Sequence, residues 1–310
     1  MVAFTALAAA TILAIAADAH VSPWHPSMFG FDYPNQSNYP YKTPGPSPNY
    51  NNNRPVTPIR LEAHKGEDFW LGNGLRDYPP APGQFLELKA GGNTFLEVSC
   101  NRAWTSYRHP GLTERLPWHA CTEEYPLHTV NWFNKEPDNS KLGGVALAIA
   151  YTSDEKNVKS SDFTVVSVQY RAVWERVVTF PMPSGMPECP PEGCLCTWNW
   201  MHTALNTRNP PPPPGKPDGE GYGFEIFNNL MRCKVVGATN NNNKVGAGQN
   251  PVECSKDSSK CVKGPKKPII TWMTSGNTVN MDNNVNYGWP VYNRGYGFSN
   301  GAQQEAIVPK

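Results

Sequence analysis

The chain has 310 residues and is almost neutral, with 27 basic and 26 acidic side chains. Proteins that bind nucleic acid usually carry a basic excess, so this balance argues against a polyanionic partner. The 32 prolines and 26 glycines leave little room for long helices and favour short strands joined by turns.

The N-terminus reads as a secretory signal. Residues 1–19 are apolar and rich in alanine, and they end in the small-x-small sequence Ala17-Asp18-Ala19. This pattern predicts a signal peptide that is cut after Ala19 and leaves residues 20–310 as a single domain. No later apolar run is long enough to span a bilayer. We therefore expect a secreted, extracellular protein with no membrane partner.

Short β-branched or alternating segments follow one another along the rest of the chain. They predict strands at Thr94–Cys100, Val145–Thr152, Phe163–Tyr170, Ala172–Phe180, Cys196–His202, Gly223–Val236 and Pro268–Met273. Strands separated by turn-rich stretches are typical of an all-β, antiparallel β-sandwich with long loops. One loop, residues 203–222, contains five consecutive prolines, Pro210–Pro214, and its role stays open.

The cysteine count fits export. All eight cysteines follow the signal, and an even number in a secreted chain predicts four disulfides in an oxidising compartment. Asn35-Gln36-Ser37 is a sequon for N-glycosylation at Asn35, as expected of a glycoprotein.

Cleavage after Ala19 would place His20 at the new N-terminus. Its α-amine and its imidazole could then chelate one metal ion together, and a second histidine would complete three nitrogen donors. Nitrogen-rich tetragonal sites favour Cu(II). His20 is therefore a candidate copper ligand, and a histidine without a metal role is the competing interpretation.

Several motifs extend this prediction over almost the whole chain. They are His20-Val-Ser-Pro-Trp24-His25-Pro26-Ser27-Met28-Phe29-Gly30-Phe31, Asp77-Tyr78-Pro79-Pro80, Ala146-Leu-Ala-Ile-Ala-Tyr151, Asp162-Phe163-Thr164-Val165, Cys194-Leu-Cys196-Thr-Trp198-Asn-Trp200, Met231-Arg-Cys233 and Gly301-Ala302-Gln303. The sequence resembles auxiliary activity family 14 of the fungal lytic polysaccharide monooxygenases. The resemblance implies an immunoglobulin-like β-sandwich that holds a single copper in a histidine brace.

The resemblance also implies ligands and neighbours of that copper. His20 corresponds to the N-terminal ligand and His128 to the second histidine, with His119 as the alternative. Phe227 stands where the family usually has an axial tyrosine. Glu225, two residues earlier, would point to the same side of a strand as a polar group near the reacting oxygen. Core packing of Phe227 and an ordinary strand position for Glu225 are the competing interpretations.

By cysteine order and family resemblance we expect four disulfides. The pairs are Cys100–Cys121, Cys189–Cys194, Cys196–Cys233 and Cys254–Cys261.

These features together predict a copper-dependent polysaccharide monooxygenase, an oxidoreductase that degrades plant cell-wall polysaccharide. The resemblance implies xylan on cellulose as substrate, an external electron donor, and O2 or H2O2 as co-substrate. We expect a monomer. The first alternative is a copper- or glycan-binding protein of the same fold without oxidative turnover. A metal-free structural wall protein is the second.

Overall fold

The computed structural model describes residues 21–33, 54–60, 65–121, 130–131, 136–137, 143–201, 225–271, 273–279 and 290–310. The predicted signal peptide, the sequon at Asn35, the proline-rich loop 203–222 and the two predicted copper ligands His20 and His128 lie outside these ranges.

Strands are the main regular element of the described residues, and there is very little helix. The strands are β1 (Ser22–Trp24), β2 (Ile59–Arg60), β3 (Leu86–Ala90), β4 (Asn93–Ser99), β5 (Val130–Asn131), β6 (Glu136–Pro137), β7 (Val145–Ala150), β8 (Thr164–Gln169), β9 (Val177–Pro181), β10 (Cys194–Met201), β11 (Glu225–Gly237), β12 (Asn243–Val245), β13 (Gly301–Ala302) and β14 (Ile307–Pro309). A single-turn helix, α1 (Glu67–Trp70), and 3-10 turns at Arg54–Val56, Arg102–Trp104, Ser160–Asp162, Ser258–Lys260, Arg294–Tyr296 and Gln304–Ala306 complete the elements.

Two sheets form the sandwich. The smaller has the strand order β1-β4-β9, and the larger has the order β13-β8-β7-β10-β11-β2, with β3 also paired to β11. The sheets share one apolar core, which includes Leu96 and Phe180 from the small sheet and Leu147, Trp198 and Phe227 from the large one. The predicted all-β sandwich is therefore confirmed.

The larger sheet is mixed rather than purely antiparallel. β3 runs parallel to β11, with Leu86 beside Cys233 and Ala90 beside Gly237, whereas the other pairs in this sheet are antiparallel. The β3 sequence alternates buried Leu86, Leu88 and Ala90 with exposed Glu87 and Lys89. Such alternation is typical of a strand with one solvated face.

A second apolar layer covers the outer face of the large sheet. Ile226 and Leu230 of β11 pack there with Trp70 of α1 and with Ile269 and Phe298 from loops. Both faces of β10 and of the central part of β11 are consequently buried. This explains why the β10 sequence Cys194–Met201 is buried at every position.

The predicted strand at Pro268–Met273 is wrong. Side chains satisfy its backbone donors, since the Ile269 N–H donates to the Tyr292 hydroxyl and the Ile270 N–H to Thr278 Oγ1, each at 2.8 Å. No ladder is formed because those N–H groups already have acceptors. The predicted strand at Ala172–Phe180 begins only at Val177, because residues 171–174 form a turn.

Three disulfides link parts of the described chain: one at the start of β10, one between β10 and β11, and one in the segment after β12. The structure contains the bonds Cys189–Cys194, Cys196–Cys233 and Cys254–Cys261, the same pairs that the resemblance implies. The Cys100–Cys121 pair stays a prediction, and Cys100 Sγ lies 3.9 Å from the carbonyl oxygen of Ala120, the residue before Cys121.

Within the described ranges, no helix has both the length and the apolar character needed to cross a membrane.

Candidate metal centre

The segment that follows His20 is held firmly inside the protein. Val21 and Ser22 are completely buried, and β1 pairs antiparallel with β4, so that Ser22 lies opposite Ser99. Trp24 is also completely buried, and its indole N–H donates to the Ser99 carbonyl at 2.9 Å. The first described residues of the chain are therefore part of the small sheet.

The same segment then crosses to the large sheet. Met28 forms an antiparallel bridge to Met231 of β11. The Phe29 N–H donates to the Leu230 carbonyl, and the Arg232 N–H donates to the Ser27 carbonyl, both at 2.9 Å. Residues 21–31 thus connect the two sheets through backbone hydrogen bonds at both ends.

Arg102, in the segment after β4, contacts the end of this N-terminal segment and holds it in place. It is only 4% exposed, and its guanidinium donates to the Asp32 carboxylate at 2.8 Å, to the Phe31 carbonyl at 3.1 Å and to the Tyr107 carbonyl at 3.0 Å. The same group lies 3.7 Å above the centre of the Phe31 ring. We call residues 21–33, held by β4, β11 and Arg102, the N-terminal clamp.

We expect Arg102→Met to destabilise the protein by about 2–3 kcal/mol, because the buried Phe31 and Tyr107 carbonyls would lose charged donors. Arg102→Lys should lose part of that amount, since an ammonium keeps the charge without the forked geometry of a guanidinium. Urea unfolding of the three proteins measures the difference. Equal stability of all three would contradict the role given to Arg102.

His25 lies inside the clamp as a neutral side chain. Burial lowers the pKa of His25 from 6.5 to about 4. The Ser27 backbone N–H points at His25 Nδ1 from 3.2 Å, and Ser27 Oγ lies 2.8 Å from the same atom. A backbone N–H can only donate, so Nδ1 is the acceptor and the neutral ring carries its proton on Nε2.

This neutral state makes stability depend on pH. The pKa of His25 is lower in the folded protein than in the unfolded chain, so the unfolded chain binds more protons between pH 6.5 and 4. The contribution is complete above pH 6.5 and is lost as the pH falls towards 4, by up to about 3 kcal/mol. We expect His25→Asn, whose side-chain oxygen can accept from Ser27 but cannot be protonated, to reduce this loss.

The measurement is the free energy of unfolding in urea at pH 7 and at pH 4.5. Carboxylates titrate in both proteins, so the difference between wild type and His25→Asn isolates the histidine. An identical pH dependence of the two proteins would contradict the interpretation.

Phe227 lies in the core between the sheets. It is 1% exposed, and its ring stacks on that of Trp200 with centroids 4.6 Å apart and planes inclined by 26°. Trp200 is its direct partner on β10. Glu225 is two residues earlier on β11, opposite Arg60 of β2. The proposed roles of Glu225 and Phe227 beside a copper ion stay predictions.

His119 has an aromatic environment. Its ring centroid lies 4.7 Å from that of Trp118 and 5.7 Å from that of Trp174. The backbone at His119 forms an antiparallel bridge to Glu175, next to the start of β9. This packing is compatible with a structural role for His119, and the choice between His119 and His128 as the second ligand stays a prediction.

The two predicted ligands, His20 and His128, lie outside the described residues. Among the residues that are described, no three side chains of the usual ligand types cluster as a metal site. The structure instead shows contacts that sequence reasoning missed, above all those of Arg102 and Trp174. Arg102 comes three residues after a strand, and nothing in the sequence around it predicts contacts with residues about 70 positions earlier.

The fold and the clamp define a disulfide-bonded β-sandwich protein whose N-terminal segment is fixed between two sheets. The family model for the lytic polysaccharide monooxygenases AA14 matches residues 1–309. The chain belongs to this family, which is copper-dependent and whose fungal members are secreted.

Individual relatives agree with the family match. The AA14 family lytic polysaccharide monooxygenase B of Pycnoporus cinnabarinus is 33% identical over 314 residues, covering 97% of this chain and 74% of the relative. The protein of the same description from Trametes coccinea is 33% identical over 301 residues, covering 93% of this chain and 63% of the relative. A second Trametes coccinea relative, described as monooxygenase A, is 30% identical, and this chain spans 64% of its length.

Proposed function

We propose that the protein is a secreted copper-dependent monooxygenase that cleaves plant cell-wall polysaccharide oxidatively. One copper ion is held by the α-amine and imidazole of His20, after cleavage behind Ala19, and by the imidazole of His128. The observation that carries the proposal is the N-terminal clamp, because a chain terminus can act as a metal ligand with defined geometry only if the residues behind it are fixed.

The bound copper would supply one-electron reduction and activation of the oxygen co-substrate. The net reaction at a C–H bond of the glycosidic linkage consumes O2, two electrons from an external donor and two protons, and it gives a hydroxylated carbon and water. With H2O2 as co-substrate the same hydroxylation needs no further electrons. The hydroxylated linkage then breaks by elimination, which divides the polysaccharide chain.

Phe227 and Glu225 have different proposed roles beside the copper. The phenyl ring of Phe227 has no donor atom and is fixed by its stacking on Trp200, so it would exclude water from its side of a copper site. Glu225, two residues earlier on β11, would hold or transfer a proton near the oxygen co-substrate. The protein would act as a monomer, with a glycan on Asn35.

Phe227 also supports the alternative function. Without a tyrosine hydroxyl at this position, the protein would bind copper or glycan with the same fold and would not turn over. Phe227→Tyr tests whether residue 227 lies beside the copper, because a coordinating phenol would change the electron paramagnetic resonance spectrum of the copper-loaded protein.

Product analysis tests the main proposal. The secreted protein, with an N-terminus verified as His20, is incubated with reductant, H2O2 and xylan-coated cellulose, and soluble sugars are analysed by mass spectrometry. Aldonic or ketone-bearing oligosaccharides are the expected result. If none appears on xylan, cellulose or mixed substrates while one copper ion is bound, the binding function replaces the enzymatic one.

A further inference from the structure

Exposed hydrophobic side chains concentrate on one face of the small sheet. Five large hydrophobic residues among those described are exposed, and three of them belong to this part of the surface: Phe95 at 59%, Trp118 at 59% and Val177 at 44%. Tyr78 and Val252 are the other two. Scattered single residues of this kind need no explanation, but a group on one face marks an interaction surface.

Strand register places these side chains next to one another. Phe95 of β4 lies opposite Thr179 of β9, and Glu97 lies opposite Val177. Phe95 and Val177 are therefore diagonal neighbours on the outer face, within reach of the same ligand. Leu96 and Val178, which point the other way, are buried in the core.

Trp118 extends this face at the start of β9. The Arg176 N–H donates to the Trp118 carbonyl at 2.9 Å, and the Arg176 guanidinium forms an ion pair with Glu97. Arg176 lies beside Trp118, and Thr179 lies beside Phe95. Arg176 and Thr179 are three residues apart, which corresponds to about 10 Å along the strand. We call Phe95, Glu97, Trp118, Arg176 and Val177 the sheet-face patch.

The Trp118 ring is held in place although it is exposed. It packs edge-on against the buried ring of Trp174, with centroids 5.0 Å apart and planes inclined by 82°. Arg171 lies 4.9 Å above the centre of the Trp174 ring and supports it from another direction. A fixed aromatic ring binds a ligand at a smaller entropic cost than a mobile one.

The charges of the patch cancel. Glu97 and Arg176 pair with each other, and Glu97 also accepts from the Ser106 N–H at 3.0 Å. Because neither charge is left for a charged ligand, the patch fits a neutral polymer that offers both apolar C–H faces and hydroxyl groups. Sugar rings of plant cell-wall glycans have this chemistry, and they stack their C–H faces on aromatic rings.

We infer that the sheet-face patch binds a neutral polysaccharide chain as an anchoring surface on the side of the sandwich, with the rings of Trp118 and Phe95 as the two stacking positions. The inference rests on the proposed function for the choice of polymer. β4 connects the patch to the N-terminal clamp, since Phe95 is four residues, about 13 Å, from Ser99, where β1 begins to pair. A chain held on the patch keeps the protein on the polymer surface.

Binding without turnover tests this. The copper-loaded protein is mixed with microcrystalline cellulose and with xylan-coated cellulose in the absence of reductant, and the unbound fraction gives the Kd. We expect Trp118→Ala and Phe95→Ala each to raise the Kd about tenfold on the polymer that is bound. Val252→Ala is the matched control, because it removes an exposed apolar side chain outside the patch and should leave the Kd unchanged.

Two further measurements keep the outcomes distinct. Thermal unfolding and the copper resonance spectrum should be the same in the variants and in wild type. Equal binding of both variants and wild type would overturn the inference, as would the absence of wild-type binding to either polymer. Sedimentation showing a dimer that Trp118→Ala dissociates would also overturn it, since the patch would then bind a second copy. Wild-type binding without oxidised products would count against the proposed enzyme but not against the patch.

Discussion

His128→Ala should weaken copper binding by more than about a hundredfold, beyond the loss that follows removal of outer-shell partners. The proposed site has three nitrogen donors, and this change removes one of them, so only the two donors of His20 remain. Titration of the secreted protein with Cu(II), against a competing chelator, measures the affinity.

His119→Ala is the matched control. The His119 ring packs against Trp118 and Trp174, so its loss should affect local packing and leave copper affinity unchanged. The reverse result, with His128→Ala unchanged and His119→Ala weakened, would move the second ligand to His119. A protein that keeps extra residues before His20 should also bind copper weakly, because its α-amine is no longer at the site.

Removing the Cys196–Cys233 bond, with both residues changed to alanine, should destabilise the protein by about 4 kcal/mol. The bond closes a segment with a sequence separation of 37, and it joins β10 to β11 in the middle of the large sheet. Opening it therefore frees a long stretch of the unfolded chain.

The double change of Cys189 and Cys194 to alanine is the control, because that bond spans a separation of only 5 and should contribute about 2 kcal/mol. Urea unfolding at pH 7 compares the proteins. A loss for Cys196–Cys233 no larger than that for Cys189–Cys194 would show that chain entropy does not set the contribution of these bonds.

Strands with a strong local pattern could be predicted from the sequence. β4, β7, β8 and β10 begin and end within two residues of the predicted bounds, because β-branched or alternating residues fill them. β1 could not be predicted in this way, since it has three residues and includes Pro23. It exists because β4 and the core hold it, which is tertiary information.

The same distinction between local sequence pattern and tertiary contacts applies to the site. The predicted cleavage after Ala19 and the resemblance supply His20, and the resemblance supplies His128; both stay predictions. The clamp depends on Arg102, whose partners Phe31 and Asp32 are about 70 positions away. The segment Pro268–Met273 shows the opposite error. Its local pattern predicts a strand, but two of its backbone N–H groups donate to the side chains of Tyr292 and Thr278.

The edge of β11 that faces away from β10 is covered by three segments in turn: β2 at Ile226, the clamp at Met231, and β3 from Cys233 onwards. The Arg232 amide in this edge donates to Ser27 and to no strand of the large sheet. Amide hydrogen exchange at Arg232 therefore reports directly on whether the N-terminal segment is docked. We expect slow exchange of the Arg232 amide in the secreted protein and fast exchange when Arg102→Met weakens the clamp. This single backbone position would then report how well the N-terminal segment is ordered.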